Sequence, residues 1–137
     1  MRLWMAACGW IVVLAVVGCG QSETVEVTGT VSLNGQPAEQ AEVMFNPKAA
    51  GRFAVGVTDA SGKFTLSTAK PNDGALPGEY VVTLAEYYPP DKPPALPRGG
   101  GLLPSRFPPQ FGDPAKSPLI AKVERGGKND FTFEVKK

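Results

Sequence analysis

The sequence predicts an all-β fold, a seven-stranded antiparallel β-sandwich, on three observations. Apolar and polar residues alternate with a period of two in seven short segments, as they do in strands that bury one face. The chain also contains 16 glycines and 14 prolines, and these residues place turns between the segments. No segment shows the helical period that a parallel α/β fold needs between its strands.

The first predicted strand covers residues 25–33, where Gly29 takes one of the inward positions. Asn34 and Gly35 follow, and this dipeptide is well suited to the positive φ angles of a tight turn. A second strand is predicted over residues 41–46, where apolar and polar side chains alternate again.

The third and fourth strands are expected to form a hairpin. They cover residues 53–58 and 63–67 and are joined by a turn at residues 59–62, where an aspartate can cap the backbone and a glycine supplies the left-handed position. The side chains of the third strand that are predicted to face inward are Phe53, Val55 and Val57.

A fifth strand is predicted over residues 79–86, after a loop rich in turn-forming residues. Residues 89–118 then contain most of the prolines and three consecutive glycines, and no sheet ladder survives that density. Alternation resumes at residues 119–123 and 131–135, which we expect to pair as a closing hairpin.

The N-terminal segment has the layout of a bacterial export and lipidation signal. Arg2 precedes an apolar run at residues 3–17, which as a helix would reach about 22 Å, short of the ~30 Å hydrocarbon core of a membrane. Residues 16–19 resemble a lipobox, so cleavage before Cys19 is expected, with residues 1–18 as the signal peptide. The alternative is an ordinary secretory signal in which Cys19 is incidental.

Acylation of Cys19 would anchor the mature chain firmly. Each buried CH₂ of an acyl chain such as palmitate contributes about 0.8 kcal/mol, and a lipoprotein carries two or three such chains. Residues 19–24 would then be a tether to a single domain at residues 25–136. Gly20 rather than an aspartate follows the cysteine, which in two-membrane bacteria resembles the pattern for transfer to the outer membrane. An extracytoplasmic lipoprotein on the outer membrane or its periplasmic face is therefore expected.

The composition excludes several classes of function. The chain carries 14 basic and 13 acidic residues and shows no basic patch, so nucleic acid is not an expected partner. It contains no histidine, which excludes Ser-His-Asp and Cys-His nucleophiles and any zinc site that needs histidine. With Cys19 acylated, the mature chain would have no cysteine left for a disulfide.

Several segments together resemble a known family. They are GTVSLNGQP at residues 29–37 with AEVMF at 41–45, TDASGKFTL at 58–66 and LPGEYVVTL at 76–84. These segments are similar to the carboxypeptidase regulatory-like domains, which have a transthyretin-like (prealbumin-like) sandwich. Residues 113–133 are similar to a subgroup of small bacterial lipoproteins with this domain. The resemblance implies a fold and, for noncatalytic members, an accessory or adhesive role, but no activity.

The residues that carry this resemblance at turns and strands are Asp59, Gly62, Phe64, Gly78 and Tyr80. Asp59 and Gly62 suit a turn, Gly78 relieves the backbone where a loop enters a strand, and Tyr80 is expected to fill the edge of the sandwich with its hydroxyl outward. A calcium site at this turn is disfavoured, because Lys63 follows and no bidentate acid completes a twelve-residue loop. No metal or other cofactor is predicted.

Aromatic residues that flank the proline-rich segment are the candidate ligand contacts, and they are Tyr87, Tyr88, Phe107 and Phe111. Exposed aromatic rings can stack on sugars or on the surface of a partner protein. The favoured alternative is that they hold the loop against a sheet edge, which would otherwise pair with a neighbouring molecule.

We therefore expect a noncatalytic envelope lipoprotein whose sandwich is a structural or protein-binding module with a protein or cell-wall partner. A carbohydrate-binding module is the alternative. A small hydrolase is less expected, because its candidates are Ser117 beside Lys116 and the scattered acids Glu86, Asp91 and Asp113, all of them in or beside the proline-rich loop. The oligomeric state is left open.

Overall fold

The computed structural model describes residues 23–137, and both the predicted signal peptide at residues 1–18 and Cys19 lie outside this part. The described chain forms eight strands and one 3₁₀ helix, Pro109–Gly112. The strands are β1 (Thr28–Leu33), β2 (Gln36–Pro37), β3 (Ala41–Pro47), β4 (Ala54–Val57), β5 (Lys63–Thr65), β6 (Gly78–Glu86), β7 (Leu119–Val123) and β8 (Asp130–Val135). The all-β architecture is thus confirmed, and the short β2 adds to the seven predicted strands.

The strands form two sheets that pack face to face. In the first sheet β1 is central, with β8 along one side and β5 and β2 on the other. The second sheet has the order β4-β3-β6-β7 and is antiparallel throughout. β8 runs parallel to β1 from Thr28 to Leu33, so the sandwich is not wholly antiparallel as predicted.

The predicted closing hairpin is wrong in its pairing. Of the hairpin predicted for residues 53–58 and 63–67, one antiparallel bridge is present, in which Val55 and Ser67 exchange two backbone hydrogen bonds of 2.9 Å. β4 pairs with β3 and β5 with β1, so the turn at residues 59–62 connects the two sheets. β7 pairs with β6 and β8 with β1, so residues 124–129 also cross between the sheets. Short turns are present at both places, but each leads the chain across the sandwich. Local alternation indicates that a segment is a strand and does not specify its partner.

β4 buries the face opposite to the one predicted. Ala54 and Gly56 face the core, whereas Phe53 is 59% exposed and Val57 is also exposed. The two sheets approach closely here, because a Cβ added at Gly56 would lie 2.7 Å from a backbone oxygen of β5. Only small side chains fit on the inner face of this strand, and its larger apolar side chains therefore lie on the outer face.

The core is built around Phe45 of β3. Its ring centroid lies between 5.6 and 6.4 Å from the centroids of four other rings, which are those of Phe64, Tyr80, Phe131 and Phe133. Three of these rings come from the opposite sheet, so the cluster joins the two layers. Buried aliphatic side chains fill the remaining space, among them Val27, Val31, Val43, Leu66, Val82, Leu84, Val123 and Val135.

The turn between β4 and β5 is fixed by Asp59 and Gly62. The Asp59 carboxylate accepts hydrogen bonds from the backbone N–H groups of Ser61, at 2.8 Å, and Lys63, at 3.0 Å. Gly62 has a φ of +74°, which is the left-handed conformation that glycine adopts without strain. Asn34 and Gly35 also have positive φ angles, as expected for the tight turn between β1 and β2.

Tyr80 lies deeper in the sandwich than predicted. Its side chain is buried beside Phe45, and its hydroxyl donates a hydrogen bond of 2.6 Å to the carbonyl oxygen of Leu76 rather than pointing outward. Burial raises the pKa of Tyr80. Gly78 begins the same strand with a φ of +151°, and Phe64 is buried in the core.

Replacing Gly62 should destabilise the fold strongly. In Gly62→Ala the new Cβ would clash with the carbonyl oxygen of Val31, and alanine would also be strained at this positive φ. We therefore expect a loss of roughly 2–4 kcal/mol in the free energy of unfolding. Gly35→Ala is the matched control, because Gly35 also has a positive φ but no atom lies within 4 Å of an added Cβ. Denaturant unfolding followed by circular dichroism measures both variants, and equal losses would contradict the close contact at residue 62.

Candidate functional site

The direction of β6 places the start of the described chain and the long loop before β7 at opposite ends of the sandwich. The described chain enters beside the start of β1, where Val25 exchanges backbone hydrogen bonds of 2.9 and 3.0 Å with Ala75. The end of the sandwich that contains residues 23–27 and the loops beside them is called the tether end below, and β6 begins there. β6 finishes at the other end, and from there residues 87–118, called the excursion below, lead to β7.

The excursion covers the part of β6 that β7 leaves unpaired. β7 pairs with β6 only from Gly78 to Val82. Beyond that point the 3₁₀ helix packs against β6, and Phe107 and Phe111 are only 4% and 7% exposed. These two rings belong to the hydrophobic core, and only Phe107 also lines a surface cavity. They hold the loop against the sheet as predicted. The strand that they cover is the unpaired second half of β6, which lies inside the sheet, rather than an edge strand.

Polar contacts fix the excursion to the body of the sandwich. The Arg106 Nε atom donates to both carboxylate oxygens of Glu86, at 2.9 and 3.1 Å, and its Nη2 atom donates to the backbone oxygen of Glu39 at 2.7 Å. The guanidinium also lies 5.4 Å from the centre of the Phe107 ring. At the far end of the excursion, the Ser117 hydroxyl donates to the carbonyl oxygen of Val82. The loop is therefore preorganised despite its glycine and proline content.

A groove of about 320 Å³ lies beside the Arg106–Glu86 ion pair. Tyr87 and Tyr88 line it and are both half-buried, and the Tyr88 hydroxyl donates 2.9 Å to the backbone oxygen of Pro104. Lys92 also lines the groove and forms no ion pair within residues 23–137. The groove thus combines two tyrosine rings with an unpaired ammonium group.

A second, more apolar cavity of about 530 Å³ lies under the excursion. Its apolar lining consists mainly of Leu84, Leu102, Leu103, Phe107, Pro108 and Pro109. Leu102 is 96% exposed and Leu96, nearby in the chain, is also exposed. Exposed leucines beside an apolar cavity are typical of a surface that contacts a partner.

The groups considered for hydrolysis are engaged elsewhere. The Ser117 hydroxyl bonds Val82, and the Lys116 ammonium lies 4.0 Å from Asp113, so the two do not form a nucleophile and base pair. Glu86 is paired with Arg106. In the described part of the chain no cluster of acidic, cysteine or histidine side chains could hold a metal ion. No helix within residues 23–137 is long and apolar enough to cross a membrane.

The loop before β6 is organised by Asp73, which the sequence analysis treated only as part of a turn. Its carboxylate accepts the backbone N–H groups of Thr68, Ala69 and Lys70 at 2.6, 3.0 and 2.9 Å. The hydrogen bond from Thr68 is the main reason why the pKa of Asp73 lies below its usual value. This carboxylate and the side chains of Glu23, Arg52 and Lys70 line a cavity of about 400 Å³ at the tether end.

Two features of the excursion were not predicted from the sequence. The Arg106–Glu86 ion pair joins residues 20 positions apart, and no periodicity connects them. Leu102 and Leu103 do carry a signal, because two adjacent leucines directly after three glycines are unusual in a loop without strand alternation.

Comparisons of this chain with protein-family models, with curated proteins and with solved structures found no match. The geometry described above is therefore the basis for any functional conclusion, and the resemblance to carboxypeptidase regulatory-like domains stays a prediction.

Truncating Phe111 should test whether the excursion protects β6. We expect Phe111→Ala to lose about 3 kcal/mol of stability and to form dimers or aggregates, because the free half of β6 loses its cover. Leu102→Ala is the control, since that exposed side chain should change stability by less than about 0.5 kcal/mol. Thermal unfolding and size-exclusion chromatography measure the effects. A monomeric Phe111→Ala protein with an unchanged melting temperature would refute the protective role.

Proposed function

We propose that the protein is a noncatalytic, lipid-anchored protein of the bacterial cell envelope, whose β-sandwich presents the excursion to a protein partner. The observation that carries this proposal is the position of the tether end, where the described chain begins at residue 23, and of the excursion at opposite ends of the sandwich. β6 has nine residues and so spans about 30 Å between the two ends. A lipid on Cys19 would therefore direct the excursion away from the membrane.

The surface of the excursion supports a role in binding. The Arg106–Glu86 ion pair and the buried rings of Phe107 and Phe111 fix the second half of the loop to the sandwich, which reduces the ordering needed when a partner binds. Leu96 and Leu102 are exposed on the first half of the same loop. Exposed apolar side chains beside an apolar cavity are typical of protein-binding surfaces.

A carbohydrate-binding module is a second candidate, favoured by the groove that Tyr87 and Tyr88 line. Tyrosine rings can stack on sugar rings, and the ammonium group of Lys92 could form an ion pair with an acidic substituent of a sugar. The cell wall would then be the partner.

The fold is proposed to be of the carboxypeptidase regulatory-like, transthyretin-like type. This proposal is supported by the two-layer sandwich, by the turn built on Asp59 and Gly62, and by the position of Gly78 and Tyr80 at the start of β6. The proposed location is the outer membrane or its periplasmic face, because Gly20 follows Cys19.

The lipid anchor is tested by growing cells with labelled fatty acid. Cys19→Ala should abolish incorporation of the label and leave the signal peptide uncleaved by lipoprotein signal peptidase. Cys8→Ala is the matched control, because the chain has 2 cysteines and Cys8 has too few residues before it for an apolar run. Continued acylation of Cys19→Ala would show that the anchor assignment is wrong.

The binding role is tested by capture from an envelope extract and by sedimentation with purified cell wall. Leu102→Asp should lose a captured protein at unchanged melting temperature, whereas Ile120→Asp, at an exposed position on β7, should retain it. Loss of cell-wall sedimentation on replacing Tyr87 and Tyr88 by alanine would favour the carbohydrate module instead. A Leu102→Asp protein that captures the same partner as the wild type would contradict the proposed surface.

A further inference from the structure

The chain is attached to the sandwich almost directly after the predicted lipidation residue. The backbone oxygen of Glu23 accepts a hydrogen bond of 3.2 Å from Arg125, and Val25 is bridged to Ala75. The four residue steps from Cys19 to Glu23 span at most about 14 Å. An acylated Cys19 therefore keeps the tether end within about this distance of the lipid headgroups.

Two cationic side chains at the tether end have no ionic partner among residues 23–137. Arg52 and Lys70 line the same cavity as Glu23 and Asp73, yet neither forms an ion pair with any of residues 23–137. The Asp73 carboxylate instead accepts three backbone N–H groups. The guanidinium and the ammonium group are therefore free to contact an external anion.

Phe53 adds an exposed aromatic ring next to Arg52 in the chain. Its side chain is 59% exposed because β4 has only small side chains on its inner face. An aromatic ring beside cationic side chains is the combination that proteins use at membrane interfaces, where the ring lies at headgroup level and the cations bind phosphate.

The remaining charges of the tether end do not favour anionic lipid. Arg125 and Lys128 lie in the loop between β7 and β8, but Glu124 lies in the same loop, Asp130 follows it, and Glu23 and Glu26 lie in the neighbouring N-terminal segment. General attraction of the whole end to anionic lipid is therefore weak. A contact with the membrane depends on Arg52, Lys70 and Phe53, together with the closeness that the tether imposes.

We propose that the tether end is a membrane-contact surface, on which Arg52 and Lys70 bind lipid phosphate groups and Phe53 lies at the level of the headgroups. This inference rests on the proposed lipid anchor at Cys19. Its consequence is that the sandwich stands on the bilayer in a defined orientation, with the excursion beside the half of β6 that is farther from the membrane.

Tryptophan fluorescence tests this contact directly. Both tryptophans of the chain, Trp4 and Trp10, precede Cys19, so the cleaved protein has none and a single introduced tryptophan is a clean reporter. The full chain carrying Phe53→Trp is expressed, purified from membranes with its lipid and reconstituted into vesicles of phosphatidylethanolamine and phosphatidylglycerol with brominated acyl chains. Leu102→Trp, on the excursion, is the matched control.

We expect bromine to remove roughly half of the fluorescence of Phe53→Trp, because interfacial side chains lie within about 5–10 Å of the acyl boundary, and to leave Leu102→Trp unchanged. Adding Arg52→Gln and Lys70→Gln to Phe53→Trp should weaken the quenching, whereas adding Lys92→Gln and Arg98→Gln on the excursion should not.

The possible failures are distinguishable. Mass spectrometry of the purified protein shows whether the lipid is present. A protein without lipid overturns the anchor and the contact together. A lipidated protein in which Phe53→Trp and Leu102→Trp are quenched equally overturns the membrane contact alone and leaves the proposed function standing.

Discussion

The packing of the Phe45 ring between the two sheets is the interaction on which the rest of the structure depends. Phe45 lies on β3, in the interior of one sheet, and contacts rings from β5 and β8, which flank β1 in the other. Residues 23–137 contain no cysteine, so no covalent bond supplements this contact. Removing a buried phenylalanine typically costs about 3–5 kcal/mol, a large share of the ~5–15 kcal/mol that stabilises a domain. The positions of both ends of the sandwich follow from this alignment of the sheets.

The sequence was sufficient to predict the strands and the turns but not the way the sheets are assembled. Alternation of period two is a local property of the sequence. Turns are local too, because Asn34, Gly35 and Gly62 tolerate the positive φ angles that these turns need, whichever strand follows. The partner of a strand depends on contacts distant in sequence, which is why the closing hairpin proved wrong and the hairpin at residues 53–67 is reduced to the bridge between Val55 and Ser67. The outward position of Phe53 has the same origin. A pattern of period two fits either face, and the close approach of β5 to Gly56 decides which face is buried.

The candidate site was predictable in its location and less so in its chemistry. A dense group of prolines between two strands marks the excursion, and aromatic residues flank it. Phe107 and Phe111 proved to be core residues, whereas Tyr87 and Tyr88 line a groove. The spacing of Glu86 and Arg106 does not indicate that they form an ion pair. The pair forms because a long loop returns to the sheet, and such a contact produces no periodic pattern in the sequence.

The parallel pairing of β1 with β8 constrains the order in which this protein can fold. β1 is the first complete strand of the sandwich and β8 is the last one described, so one whole side of the central strand stays unpaired until the final strand has been synthesised. Contacts between such distant segments form slowly, because a long stretch of chain must be ordered to bring them together. A partly synthesised chain therefore lacks every backbone hydrogen bond on one side of its central strand, and the first sheet can be completed only after β8 has left the ribosome.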